Sequence, residues 1–341
     1  MNIRMRFFEI GTLILVALIL PVRGQAQVPQ TMQAVEIRQF GGPEVLTLQE
    51  AVTPEPHADE LLLRVHAAGV NPVDTGARSG RSAALTDAAL PYIPGFDVSG
   101  VVVAVGSAVS GFSVGDPVYA MLDLRRGGAY AEYALVKQNE AALKPGNLSF
   151  AEAAALPLVA LTAWQALFDT AELQPGQTVL IHGGAGGVGS IAVQLARWRG
   201  ARVIATGSDY SQDFLRELGA DVTVDYRNQR FEDYADGVDV VLDTVGRDTQ
   251  IRSLGVVRDG GILVSLVGLV PEARDPPAGV RAVSILVRAD GSQLGQLGEL
   301  LADGVIRPVV SYRFPLTDAP EAHRQIETRS TRGKIVLETG F

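Results

Sequence analysis

The sequence predicts an α/β protein in which a β-rich N-terminal part leads into a doubly wound parallel sheet. Three observations carry this. Between residues 34 and 136, short apolar runs are punctuated by Gly41-Gly42-Pro43, Gly106, Gly111 and Gly115, the rhythm of strands and turns. From Thr178 onward, strand-like and helix-like segments alternate, which predicts parallel strands with helices on both faces. The first of those strands runs into Gly184-x-Gly186-x-x-Gly189, which opens a helix near Val188.

The elements follow in order. Strands are predicted over 34–37, 61–65, 98–105, 117–121 and 129–136. A helix is predicted over 150–168, capped by Ser149, because its apolar residues recur at helical spacing. Further strands fall at 179–181, 202–206, 222–224, 238–242 and 261–267, with helical patterns at 213–218 and 288–301. The tail from Ile306 to Leu337 returns to short strands and one helix near 319–327.

Within the glycine loop each glycine has a separate task. Gly184 permits the tight turn, Gly186 lets the backbone approach a pyrophosphate, and Gly189 lets helix and strand pack closely. The pyrophosphate then meets unpaired N–H groups at the positive end of the helix. A bare GxGxxG is weak, but strand, loop, helix and second strand in sequence within one unit make this a dinucleotide site.

Composition narrows the function. The 341 residues, 47% of them hydrophobic, suffice for two domains. A net charge of -9 without a basic patch argues against a nucleic-acid partner. There is no cysteine, which removes disulfides, thiolate metal sites and a cysteine nucleophile. His57, His66, His182 and His323 are scattered, so no metal centre is expected.

The first thirty residues read as an export signal. Arg4 and Arg6 precede an apolar run over 11–22, and Gly24-Gln25-Ala26 offers small residues for cleavage. On this reading the mature chain is exported and keeps no membrane span. The alternative is a cytoplasmic protein starting at Met32.

Several separated blocks together resemble the zinc-free quinone oxidoreductase, or zeta-crystallin-like, branch of the medium-chain dehydrogenase/reductase superfamily. They are 32–46, Ala68-Gly-Val-Asn-Pro-Val-Asp74, Pro94-Gly-Phe-Asp97, Gly127-Gly-Ala-Tyr-Ala-Glu-Tyr133, 156–165, the glycine loop, Leu242-Asp-Thr-Val-Gly246 and Arg332-Gly-Lys-Ile-Val-Leu337. The resemblance implies a GroES-like catalytic domain (32–155 and 290–341), a Rossmann NADP-binding domain (156–289) and an N-terminal extension or signal (1–27). A homodimer is expected. Zinc-dependent relatives place a cysteine in the segment matching Asn71–Asp74 and Gly-His-Glu where this chain has Gly95-Phe96-Asp97, so the resemblance implies no metal. What remains is hydride transfer to an electrophilic small-molecule acceptor, a quinone first. An enoyl or alkenal reductase, and a non-catalytic NADPH-binding protein, are the alternatives.

NADPH is expected over NADH. Gly207 stands where NAD enzymes carry an acid, and Ser208, Tyr226 and Arg227 lie near the place of a 2′-phosphate. Tyr210 occupies the position of a common family lysine. An aspartate at 207 is expected to shift preference toward NADH. The resemblance adds Thr162, Ala185, Gly187, Val188, Thr244, Val245, Val267, Gly268 and Lys334 to the cofactor residues, with Arg332 beside them. Asn71, Asp74 and Tyr92 are the acceptor-side candidates, with Tyr130 as a further phenol. Gly76 replaces a tyrosine common in relatives.

Overall fold

The computed structural model describes residues 28–81 and 89–340; the export reading concerns residues outside that range. Two large sheets organise the described residues, beside a two-stranded one formed by Thr31–Glu36 and Thr47–Val52. In the first, Glu60–Val70 pairs with Asp97–Val105, Tyr133–Lys137 and Lys334–Glu338, all antiparallel. Pro117–Met121, Ala141–Leu143 and Val310–Pro315 complete seven strands. Segments 60–143 and 310–338 therefore share one sheet, so the strands that follow the parallel sheet return to the one that precedes it.

The second sheet has six strands: Thr178–Ile181, Arg202–Gly207, Val222–Asp225, Val238–Asp243, Val257–Ser265 and Arg281–Ser284. All pair in parallel, in the spatial order 3-2-1-4-5-6. This is the doubly wound order of dinucleotide-binding domains. Both of its faces are covered, so its central strands are apolar without alternation: Val179, Leu180, Ile181, Val240, Val241 and Leu242 are all buried.

Three sequence expectations are corrected. The helix over 150–168 is broken into Phe150–Ala154 and Pro157–Trp164, followed by a π-helical Gln165–Thr170. Pro157 starts the second piece, since its missing N–H is harmless only in a first turn. The strand over 129–136 shrinks to Tyr133–Lys137, because 129–132 bond sideways to Pro94, Gly95 and Gln33. The helix near 288 starts at Gly291, where the Asp290 carboxylate accepts from Gln293 N.

Candidate active site

Parallel strands bring their C-terminal ends to one edge, and the cofactor residues read from the sequence gather there. Gly183–Gly189 follows Ile181, Ser208 follows Gly207, Tyr226 and Arg227 follow Asp225, Thr244 and Val245 follow Asp243, and Val267 and Gly268 follow Ser265. Such edges are where doubly wound sheets bind ligands.

The loop geometry separates the three glycines. A Cβ on Gly189 would lie 2.2 Å from Gly183 O, and one on Gly184 would lie 2.9 Å from Leu215. Both are packing positions. A Cβ on Gly186 would meet only Gly183 O at 3.4 Å, so its open side is available to a ligand. Gly186 also begins helix Gly187–Trp198, whose first-turn N–H groups suit a pyrophosphate. The residues present therefore fit a dinucleotide. Gly183, not singled out in the sequence, needs its left-handed φ of +67°.

Two buried groups brace this edge and were missed in the sequence. Asp243 Oδ1 accepts from Val245 N and Gly246 N at 3.0 and 2.8 Å, while Oδ2 accepts from Gln250 and Ser265. That holds Thr244–Gly246 in place and leaves Val245 and Val267 as a half-exposed apolar pair. An acid closing a strand just before a glycine was the available signal. His182 shares bonds with Thr206 Oγ1 and Ser253 Oγ, and its carbonyl accepts from Thr244. Burial pushes its pKa down to about 4, so it is a neutral core residue.

Around the end of strand Arg202–Gly207, the Arg227 guanidinium lies 5.7 Å over the Tyr226 ring. Arg332 reaches from the C-terminal segment to stand over Tyr210 and Phe214 at 6.0 and 5.8 Å. A cation is thus supplied beside Tyr210 from the other domain. Ser208 is turned toward Ser211, 3.0 Å away. Gly207 needs correction as a specificity switch: a Cβ there would lie 2.9 Å from Leu215 and 3.3 Å from Ser211, facing the helix behind it.

The acceptor-side candidates are enclosed. Asn71 has no exposed surface. Its Nδ2 donates to Asp97 Oδ2 at 2.9 Å, its Oδ1 accepts from Lys334, and its N–H donates to Asp74 Oδ2 at 2.6 Å at the start of helix Pro72–Arg78. Both Asn71 and Asp74 are thus fully buried, with Asn71 bonded to Asp74, Asp97 and Lys334. Asp74 Oδ1 has no hydrogen-bond partner among the described residues, and burial drives the Asp74 pKa up to about 7. The Tyr92 hydroxyl, buried against Gly127, likewise has none, and burial raises its pKa. Tyr130 is wholly buried and shares a bond with His323.

Lys334 and Thr162 both have donors engaged within the protein. The Lys334 ammonium donates to Val70 O at 2.9 Å, to Asn71 Oδ1, and to Asp97 Oδ2 at 3.5 Å. All three of its donors are spent inside the protein, so none is left for a phosphate. Thr162 donates back to Leu158 O at 2.6 Å, which leaves its lone pairs as its only polar offer.

The comparisons with known proteins agree with this geometry. Residues 57–146 match the family described as alcohol dehydrogenase GroES-like domain, and residues 218–337 match zinc-binding dehydrogenase. The chain is 40% identical to a 2-methylene-furan-3-one reductase of Solanum lycopersicum, covering 91% of this chain and 80% of that one. It is 35% identical to a quinone oxidoreductase of Rattus norvegicus, covering 90% and 97%. Among solved structures, the Escherichia coli quinone oxidoreductase complexed with NADPH superposes with a TM-score of 0.81 at 31% identity, covering 90% and 99%. Sheet order, glycine loop and relatives converge: the chain is an oxidoreductase of the quinone oxidoreductase-like branch of the medium-chain dehydrogenase/reductase superfamily.

Proposed function

We propose that this protein is a zinc-independent, NADPH-dependent oxidoreductase that delivers hydride to a quinone-type acceptor. The observation that carries the metal-free reading is the Lys334 ammonium lodged between Asn71 and Asp97. Those two segments match the ones in which zinc-dependent relatives place cysteine and Gly-His-Glu. Here a cation of the chain's own is bound there by three oxygens.

When bound, NADPH supplies a hydride, and the acceptor takes up that hydride and one proton from solvent. With no Lewis acid the acceptor must itself be electrophilic, as a quinone or an activated alkene is. The protein's part is to hold and orient. Val245 and Val267 offer an apolar surface to a flat ring, Thr162 Oγ1 an acceptor to a carboxamide N–H, and Gly186 room for the pyrophosphate. Arg332, Arg227, Tyr210 and Tyr226 supply the charge and rings suited to a 2′-phosphate, which supports NADPH over NADH.

The tomato relative's name favours a second reading, reduction of a carbon–carbon double bond conjugated to a carbonyl. Purified residues 28–341, given NADPH with quinones and separately with alkenals, decide between the two. Oxidation of NADPH by neither overturns both and leaves a cofactor-binding protein. Loss of activity on chelator dialysis, regained with zinc, overturns the metal-free reading.

A homodimer belongs to the same proposal. Strand Arg281–Ser284 is one of the two edge strands of the six-stranded sheet, and Leu286 beyond it is 71% exposed. Sedimentation of the purified protein tests it, and a monomer at working concentration removes it. Export rests on residues 4–26 and is tested by N-terminal sequencing. A mature start near Gln27 supports it, and a start at Met32 in the cytosol ends it.

A further inference from the structure

Lys334 joins more elements than its strand requires. Gly333 N donates to Ala185 O at 2.9 Å, and Gly333 bridges to Gly186 in parallel, so the residue before Lys334 is tied to the cofactor loop by backbone. The lysine stem runs past Gly187, where a Cβ would lie 3.1 Å from its Cδ. The ammonium then reaches Val70 O and Asn71 at the far side. Its counter-ion Asp97 has no exposed surface and extends the tie: Oδ1 accepts from Leu158 N at 2.7 Å, in the first turn of helix Pro157–Trp164, which carries Thr162. One buried ion pair thus meets the glycine loop, the Thr162 helix, the turn at Asn71 and two strands of the catalytic domain.

We propose that the Lys334–Asp97 pair is a positioning device that sets the glycine loop and the Thr162 helix against the catalytic domain for hydride transfer. The proposal rests on the hydride-transfer reading above. Neither side chain touches NADPH or acceptor; each acts through the backbone and helix it holds. Hydride transfer requires donor and acceptor carbons at near-contact distance, so a small shift of the loop relative to the catalytic domain slows the chemical step.

The test separates positioning from stability. Lys334→Met keeps the stem against Gly187 but leaves Asp97 buried without its counter-ion, and it is expected to lose stability. The double variant Lys334→Met/Asp97→Asn removes both charges and is expected to recover most of the melting temperature, while the tie stays cut. In that double variant kcat should remain at least about tenfold down, and NADPH affinity by fluorescence titration about fivefold weaker. The isotope effect with NADPH deuterated at C4 should rise as the hydride step becomes limiting. Recovery of kcat together with melting temperature overturns the proposal and makes the pair structural only. If the unsubstituted protein reduces no acceptor, the proposed function falls on its own. The tie is then read from NADPH affinity in the double variant: weaker supports it, unchanged overturns it.

Discussion

The Arg78 guanidinium lies 3.3 Å from Nδ1 of His323, and that contact decides the state of the imidazole. Arginine keeps its protons, so Nδ1 must accept, and Nε2–H is left to donate to the Tyr130 hydroxyl at 3.2 Å. Glu327 takes another Arg78 nitrogen at 2.5 Å. Burial first, and the Arg78 charge second, push the His323 pKa down to about 3.

A pH dependence follows. His323 in the unfolded chain titrates near its ordinary value, so between about 6.5 and 3 the unfolded state binds the extra proton. The stability contributed by neutral His323 is present above that window and lost as pH falls through it. His323→Gln should therefore lose less stability than the unsubstituted protein between pH 7.5 and pH 4.5, by roughly 3 kcal/mol in denaturant titrations. Equal acid losses in the two proteins contradict the assignment.

Asp74 has the opposite sign. Its folded pKa of about 7 lies above the unfolded value, raised by burial and by Asp97 and lowered by Asn71 N–H, Lys334 and Tyr130. Its contribution is fully present below about pH 4 and is lost as pH rises through 7. Asp74→Asn keeps an acceptor for the Asn71 N–H and should gain on the unsubstituted protein between pH 4 and pH 8, by roughly 4 kcal/mol. Melting curves across that range check it, and a stability difference that does not change with pH sinks it.

The glycine loop allows binding and folding to be separated. Gly186→Val should fold with a near-normal melting temperature and lose NADPH binding beyond detection by calorimetry, because the added atoms fill the open side of the cradle. Gly189→Val drives a side chain into the backbone at Gly183, and should cost more than about 3 kcal/mol and yield little folded protein. Tight NADPH binding by Gly186→Val would remove the loop from the cofactor site.

Gly207→Asp should not convert the protein cleanly to NADH. Its side chain enters the space of Leu215 and Ser211, so a loss of about 2–4 kcal/mol is expected, with weaker binding of both cofactors. Removing the cation instead, as Arg332→Ala, should weaken NADPH at least about tenfold while leaving NADH within about twofold. A stable Gly207→Asp protein preferring NADH would restore the simpler sequence reading.

Much of the fold was legible because its signals are local. Pro117–Met121 and Ala319–Glu327 fall where the residue pattern puts them, and the parallel sheet follows from alternation alone. Strand Thr47–Val52 was not legible: it is mostly exposed and carries no apolar period. Arg281–Ser284 is short and half covered, and is a strand only through its pairing with Ile262–Ser265. The same division runs through the site. The glycine loop is a local code, whereas Lys334 meets Asn71 across 263 positions of sequence, and Arg332 meets Tyr210 only after the two domains come together. The enclosure of Asn71 is likewise a tertiary fact that no spacing announces.

The bond from Gly333 to Ala185 orders the life of the molecule in time. The glycine loop is made well before its brace, since Gly333 follows Ala185 by 148 positions of sequence. A nascent Rossmann unit emerging from the ribosome has its strands and its loop, yet not the strand that holds the loop from behind. The support of the loop is therefore in place only once Gly333 has been made, long after the dinucleotide motif itself. A chain shortened before Gly333 would display the whole dinucleotide motif and still lack the support that makes it a site.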